Sequence, residues 1–298
     1  MKNLAGPMLA LAALVGGGSA AAQERPGDSA SAPIVVEGQK DREAQIRELV
    51  EALPPTSVGG HVSRFEAGAC PAVLGVPPHQ RALAAERMRA VAAATGVPVA
   101  GAKCLINVLV IVTPDKKQLI EQLAKRYPSY FGELSRWRIA SLARKPGPTA
   151  LWHRDELFDA DGRPLFAAGT ETIVQQKTSR SSSRMSDLAH PAYTGSILVV
   201  ESGALDGLTT TQLADYAAMR TFTGADPDRL SGGKVSTILT VLDTPMGGEV
   251  PITLTAWDIA FLKSLYKSDP NRYAPGQRGE IRAGMKKALD AASGGAGG

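Results

Sequence analysis

Apolar positions along this chain recur with two periods, and the changes of period mark its elements. Ile46, Leu49, Val50 and Leu53 share one face at helical spacing, which predicts a helix over 41–53 capped by Asp41 and stopped by Pro54-Pro55. A strand is expected near Val62 to Phe65. Pro77-Pro78 open a helix to about Thr95, with Leu83, Met88 and Val91 inward and Arg81, Glu86 and Arg87 outward; Gly96 ends it. Leu105 to Thr113 is nearly all aliphatic, the pattern of a central strand buried on both faces. Pro114-Asp115 begin another amphipathic helix through Lys125, carrying Leu119, Ile120 and Leu123.

Trp137, Ile139 and Leu142 mark a short helix or strand. Ala150 to Phe158 and Leu165 to Val174 flank Asp159-Ala160-Asp161-Gly162, residues that tolerate the positive φ of a tight turn, so a hairpin is expected there. Thr178 to Asp187 and Ser231-Gly232-Gly233 read as loops. A strand over Ser196–Glu201 precedes a helix from about Thr210 to Phe222. Ser236 to Leu242 is β-prone, Thr253 caps a helix through Tyr266, and a basic helix runs from about Gln277 to Ala292. The sum is an α+β fold: a mixed sheet with packed helices. Its expected divisions are an N-terminal α/β part over 41–130, an α+β part over 131–292 and a frayed tail over 293–298.

The first 40 residues stand apart from that pattern. One charge, Lys2, precedes an apolar run from Leu4 to Val15, and Ala20-Ala21-Ala22 supply the small side chains a signal peptidase accepts. The run is about 12 residues, short of the roughly 20 a spanning helix needs. A signal peptide over 1–22, cleaved after Ala22, is therefore expected, with a periplasmic or secreted mature chain and no transmembrane segment in it. Residues 23–40 read as a flexible arm. Within it, Ile34-Val35-Val36-Glu37-Gly38 resembles the segment that begins the mature part of many TonB-dependent receptors, but the chain lacks the length and alternation of their barrels.

An exported chain meets an oxidising compartment, and its two cysteines, Cys70 and Cys104, are expected to pair. Charge excludes one class of partner. Loss of Lys2 leaves the 33 basic residues one fewer against 29 acidic, a net charge of +3, too small to argue for nucleic acid. Basic residues do gather between Phe261 and Leu289, where Lys263, Lys267, Arg272, Arg278, Arg282, Lys286 and Lys287 outnumber Asp269 and Glu280. That stretch is a candidate for contact with an anionic surface or an envelope protein.

In the last third, the strand Ser196–Glu201, the helix Thr210–Phe222, the run Ser236-Thr237-Ile238-Leu239, and then Leu254-Thr255-Ala256-Trp257-Asp258, Leu262-Lys263-Ser264-Leu265-Tyr266 and Ala274-Pro275-Gly276 follow one another in an order that resembles zincin-type metallopeptidases. The resemblance implies a zincin-like C-terminal part. In such a fold one helix carries two His at i and i+4 to hold zinc, with a Glu beside the first as general base. Here that helix has neither His nor Glu, and Tyr216 and Arg220 take the i, i+4 spacing. Arg stays protonated and cannot ligate a cation. The resemblance therefore implies a frame without its metal, and no cofactor is expected. His61, His79, His153 and His190 lie in different elements without metal spacing. His153 and Asp155 would share a face if they lie on a strand.

No G-x-S-x-G elbow, Walker A or G-x-G-x-x-G loop occurs. Asp159-Ala160-Asp161-Gly162 lacks the ligand spacing of an EF-hand, and aromatic residues make up only 5% of the chain, sparse for stacking on sugars. Three functions stay open. The first is an exported, non-catalytic protein with a structural or partner-binding role. The second is a hydrolase, metal-assisted through His153, His190 and nearby acids. The third is a peripheral binder of an anionic surface through the basic C-terminal helix.

Overall fold

The computed structural model describes residues 39–54, 60–166, 178, 180–230, 235–244 and 248–294. The expected signal peptide, the arm up to residue 38 and most of the second hairpin arm, 167–174, lie outside the described residues, as do the Ser231-Gly232-Gly233 loop and the last four residues.

Seven α-helices and a four-stranded mixed sheet make up the described residues, an α+β fold as expected. The strands are β1 (Pro71–Leu74), β2 (Val108–Thr113), β3 (Thr149–Asp159) and β4 (Ala189–Glu201), in the order β1-β2-β4-β3. The first three in that row are parallel, and β3 runs antiparallel at the edge. The sheet thus takes strands from both sides of residue 130.

Helices cover both faces of the sheet. α1 (Gln39–Glu51), α2 (Pro78–Thr95), α5 (Thr210–Thr223), α6 (Ala256–Lys267) and α7 (Ala274–Gly294) bury the larger core against Val108, Val110, Leu198 and Val200. α3 (Lys116–Arg126) and α4 (Arg136–Arg144) cover the other face through Ile120 and Ala143, against Trp152, Ile197 and Val199. Ile46, Leu49 and Val50 of α1, and Leu53 just beyond it, are all buried as predicted. Each contributes on the order of 1.5–3 kcal/mol relative to exposure.

The elements depart from expectation where local chemistry competes with pattern. Leu83 is 56% exposed, because α2 turns Ala84, Met88, Val91 and Ala92 inward and leaves Leu83 about 100° off that face. Leu105 and Ile106 are 90% and 61% exposed and precede β2, which begins only at Val108. Ser236–Leu242 holds a short 3₁₀ turn, Ile238–Thr240, because the Ile238 backbone N–H is drawn to Asp258 Oδ2 at 2.9 Å and away from any ladder. Thr255, not Thr253, caps α6, in a reciprocal box with Asp258. Val62–Phe65 runs extended beside β4 with one bridge, Phe65 to Tyr193.

The turn at Asp159–Gly162 forms as expected, with the Gly162 N–H donating to Asp159 O and Gly162 at φ +79°. The long strand that β3 meets, however, is β4. Leu165 turns back to donate its N–H to Leu157 O, so only the start of the expected hairpin falls within the described residues. Cys70 and Cys104 are joined in a disulfide, with 6.0 Å between their Cα atoms. Among the described residues no helix is long and apolar enough to cross a membrane.

Candidate functional site

A cleft of about 730 Å³ lies against β3. Leu151, Trp152 and His153 line it in succession. Successive residues of a strand point to opposite faces, so a cavity that touches three in a row runs along the strand's edge rather than over one face. Leu151 packs against the larger core and Trp152 belongs to the smaller one, which places the cleft astride that edge. Among the described residues β3 has one strand neighbour, β4, and Phe158 makes a bridge to Pro164 only at its far end.

One wall is α4. Its residues Trp137, Arg138, Ser141 and Arg144 recur at helical spacing and face the cleft, with Lys145 following. Trp137 is 72% exposed. Ser135 caps the helix by accepting from the Arg138 N–H, and Ala143 anchors the opposite face in the smaller core. Trp152 fixes the approach to α4, because its indole N–H donates to Tyr130 O at 3.0 Å and its ring stacks on Phe131 at 4.8 Å.

The other wall is formed by Pro54, His61, Ser63, His153, Asp155 and Tyr193. The His153 ring stacks on Tyr193 with centroids 3.8 Å apart, and its Nε2–H donates to Thr221 O at 3.0 Å. That bond assigns the tautomer and leaves Nδ1 as an acceptor. Gly224 makes the packing possible. It ends α5 at φ +69°, and a Cβ there would sit 2.7 Å from the Tyr193 hydroxyl. Asp155 stands opposite Tyr193 in the ladder, just beyond a bulge between Arg154 and Asp155. His153 and Asp155 therefore both line the cleft.

The two titrating groups of this wall are displaced in opposite directions. Burial lowers the His153 imidazole from an ordinary 6.5 to about 4, helped by the nearby Arg220 charge and opposed by the Thr221 hydrogen bond. Desolvation raises the Asp155 carboxyl from 3.8 to about 6. Between pH 6.5 and 4 the unfolded chain binds a proton at residue 153 that the folded one refuses. The stability owed to the neutral ring is thus present above about pH 6.5 and lost as pH falls toward 4. Asp155, exposed on the strand, acts oppositely but more weakly, because solvent screens its charge. His153→Gln is expected to flatten the loss of stability between pH 6.5 and 4.5 in urea denaturation. An unchanged slope would remove His153 from the account.

The helix positions singled out by the sequence, Tyr216 and Arg220 of α5, are closed to this cleft's solvent. Every residue of α5 from Gln212 to Thr223 is buried, Tyr216 and Arg220 included. Arg220, 3% exposed, donates from Nη1 to the Tyr216 hydroxyl at 2.6 Å and to Thr149 Oγ1 at 3.3 Å. Its charge also acts on Asp243, whose pKa burial raises and Arg220 draws down. The pair thus links α5 to the start of β3.

His153 and His190 are not brought together. On β4 His190 faces Phe158, whereas His153 faces Ser196, six residues along or roughly 20 Å. Buried His190 donates from Nδ1 to Asn271 Oδ1 at 2.9 Å. His61 donates from Nδ1 to the Pro270 and Arg272 carbonyls. Among the described residues no three His, Cys, Asp or Glu form a group able to hold a metal.

Much of the basic charge of α7 is turned on α1. Arg278 donates to the carbonyls of Val50 and Pro54 at 2.5 and 2.6 Å, where the α1 dipole is negative, and Lys286 pairs with Glu43. Arg272, just before α7, pairs with Glu280. The cleft-lining role of Trp137, Arg138, Ser141, Arg144 and Tyr193 was not anticipated. The one sequence signal was a ten-residue run, Arg136–Lys145, with four cations and no acid.

Compared with known proteins, the chain matches no family model, no curated protein and no solved structure.

Proposed function

We propose that this chain is an exported, non-catalytic protein whose zincin-like frame presents the edge of β3 as a docking strand for an extended polypeptide segment of an envelope or secreted partner. The observation that carries the reading is the cleft along that edge, which touches Leu151, Trp152 and His153 in succession. An edge strand offers a row of backbone N–H and C=O groups, and a peptide that adds a strand there gains main-chain hydrogen bonds while pockets read alternate side chains. The walls supply such pockets: Trp137 and Leu134 on one side, Tyr193, His153 and Pro54 on the other.

The non-catalytic half of the proposal draws on α5. Tyr216 and Arg220 are buried and hydrogen-bonded to each other, which leaves no open coordination position of the kind a catalytic metal needs. The zincin-like half draws only on the order of the sequence segments from Ser196–Glu201 to Ala274-Pro275-Gly276. Export draws on the apolar N-terminal run and agrees with the Cys70–Cys104 disulfide.

A library of eight-residue peptides screened against the purified chain tests docking, followed by hydrogen exchange on the strongest binders. Binders should slow exchange in residues 149–155 and weaken at least tenfold when alternate peptide nitrogens are methylated. Binders that protect other segments, or indifference to methylation, would sink the edge reading. Zinc near one per chain after dialysis, together with chelator-sensitive peptidase activity, would overturn the non-catalytic reading.

A further inference from the structure

We infer that the segment taken up along β3 is acidic, with carboxylates at alternating positions and an apolar or aromatic residue between them; this rests on the edge-docking reading above. The cleft's charge is the first ground. Arg138, Arg144 and Lys145 line it, and among the described residues Asp155 is its one acid. Lys145 is already neutralised, at 2.7 Å from Asp226 and 2.9 Å from Asp228. Arg138 and Arg144 are exposed and have no ion pair or side-chain hydrogen bond among the described residues. Two guanidinium groups thus face the edge strand without counter-charge. A planar guanidinium matches a carboxylate in a two-point contact that an ammonium does not reproduce.

Spacing is the second ground. Arg138 and Arg144 are six residues apart on α4, roughly 9 Å along its axis. Side chains on one face of an extended segment recur about every 6.8 Å, so two flexible arginines reach acids at positions i and i+2. The side chain between those acids points to the opposite wall, where Pro54 and Tyr193 line the cleft and can cover an apolar group.

Three fluorescein-labelled peptides of eight residues decide the matter, each alternating Val or Phe with Glu, Lys or Gln. Anisotropy titrations at low and high salt are expected to rank the Glu peptide at least tenfold above the Lys peptide, with the gap narrowing as salt rises. The double variant Arg138→Glu with Arg144→Glu, at exposed positions and checked by its melting curve, should reverse that order. If the peptides bind equally well and the charge reversal changes nothing, the acidic preference is wrong while edge docking survives. If none of the three binds, both readings fall.

Discussion

Arg87→Ala is expected to lower the stability of the fold by about 3–5 kcal/mol, the larger of the two losses at this ion pair. Arg87 reaches across from α2 and grips Asp215 of α5 with two bonds, 2.7 and 3.0 Å. The Asp215 side chain has no exposed surface, whereas that of Arg87 retains 38%. Removing Arg87 therefore strands a carboxylate that cannot reach water, with only Thr253 Oγ1 and the Leu254 N–H left to hold it. Asp215→Ala leaves a guanidinium that can swing into solvent, at the lesser cost of an unpaired Leu254 N–H and a small cavity, about 2–3 kcal/mol. Urea denaturation of both single variants and the double one gives the comparison. Should Asp215→Ala prove the more damaging, burial asymmetry is not what governs the pair.

Cutting the Cys70–Cys104 link is expected to cost about 3–4 kcal/mol. The bridge closes a loop across 34 positions that contains β1 and α2. Without it the unfolded chain regains the entropy of that loop, while the native contacts of β1 with β2 remain. The Cys70 N–H also donates to Asn107 Oδ1 at 2.7 Å, and Asn107 Nδ2 donates to Gly68 O, so the ends of the loop stay tethered in the folded state. A Cys70→Ser, Cys104→Ser double variant should therefore keep its fold and melt lower. Free thiols in protein made in an oxidising compartment would show that the bridge does not form.

The helices were legible where apolar period and end signals agreed. α2 begins at a proline and ends at Gly96 in the left-handed region, and α3 is capped by Asp115. β4 was legible only from Ser196 on, because Pro191 and Gly195 interrupt its first half. That half survives because Tyr193 bonds outward, its N–H donating to Arg64 O. Ser236–Leu242 misled because β-propensity describes fit to a half-buried sheet, and here Thr237 and Asp258 hold the backbone in a turn.

Of the candidate site, the placing of His153 and Asp155 on one strand followed from the apolar pattern of residues 150–158. The facing wall did not. Trp137, Arg138, Ser141 and Arg144 have the composition of any solvated helix face, and only the return of the chain from α4 into β3 gives that face an opposite side. Tyr193 was hidden for a similar reason, since its neighbours in space, His153 and Gly224, lie 40 and 31 residues away.

The bulge between Arg154 and Asp155 has a consequence for how copies of the chain behave when crowded together. An uninterrupted edge of 11 residues would let one molecule zip onto the next and seed filaments. The extra residue is Thr194 of β4, so β3 keeps its own alternation but bends and twists more strongly where the ladder shifts. Arg154, Asp155 and Glu156 all stand exposed there, so any polymer would have to stack like charges at regular intervals. A short guest segment can lie along Thr149–His153, but a growing fibre meets an edge that bends and turns charged just beyond.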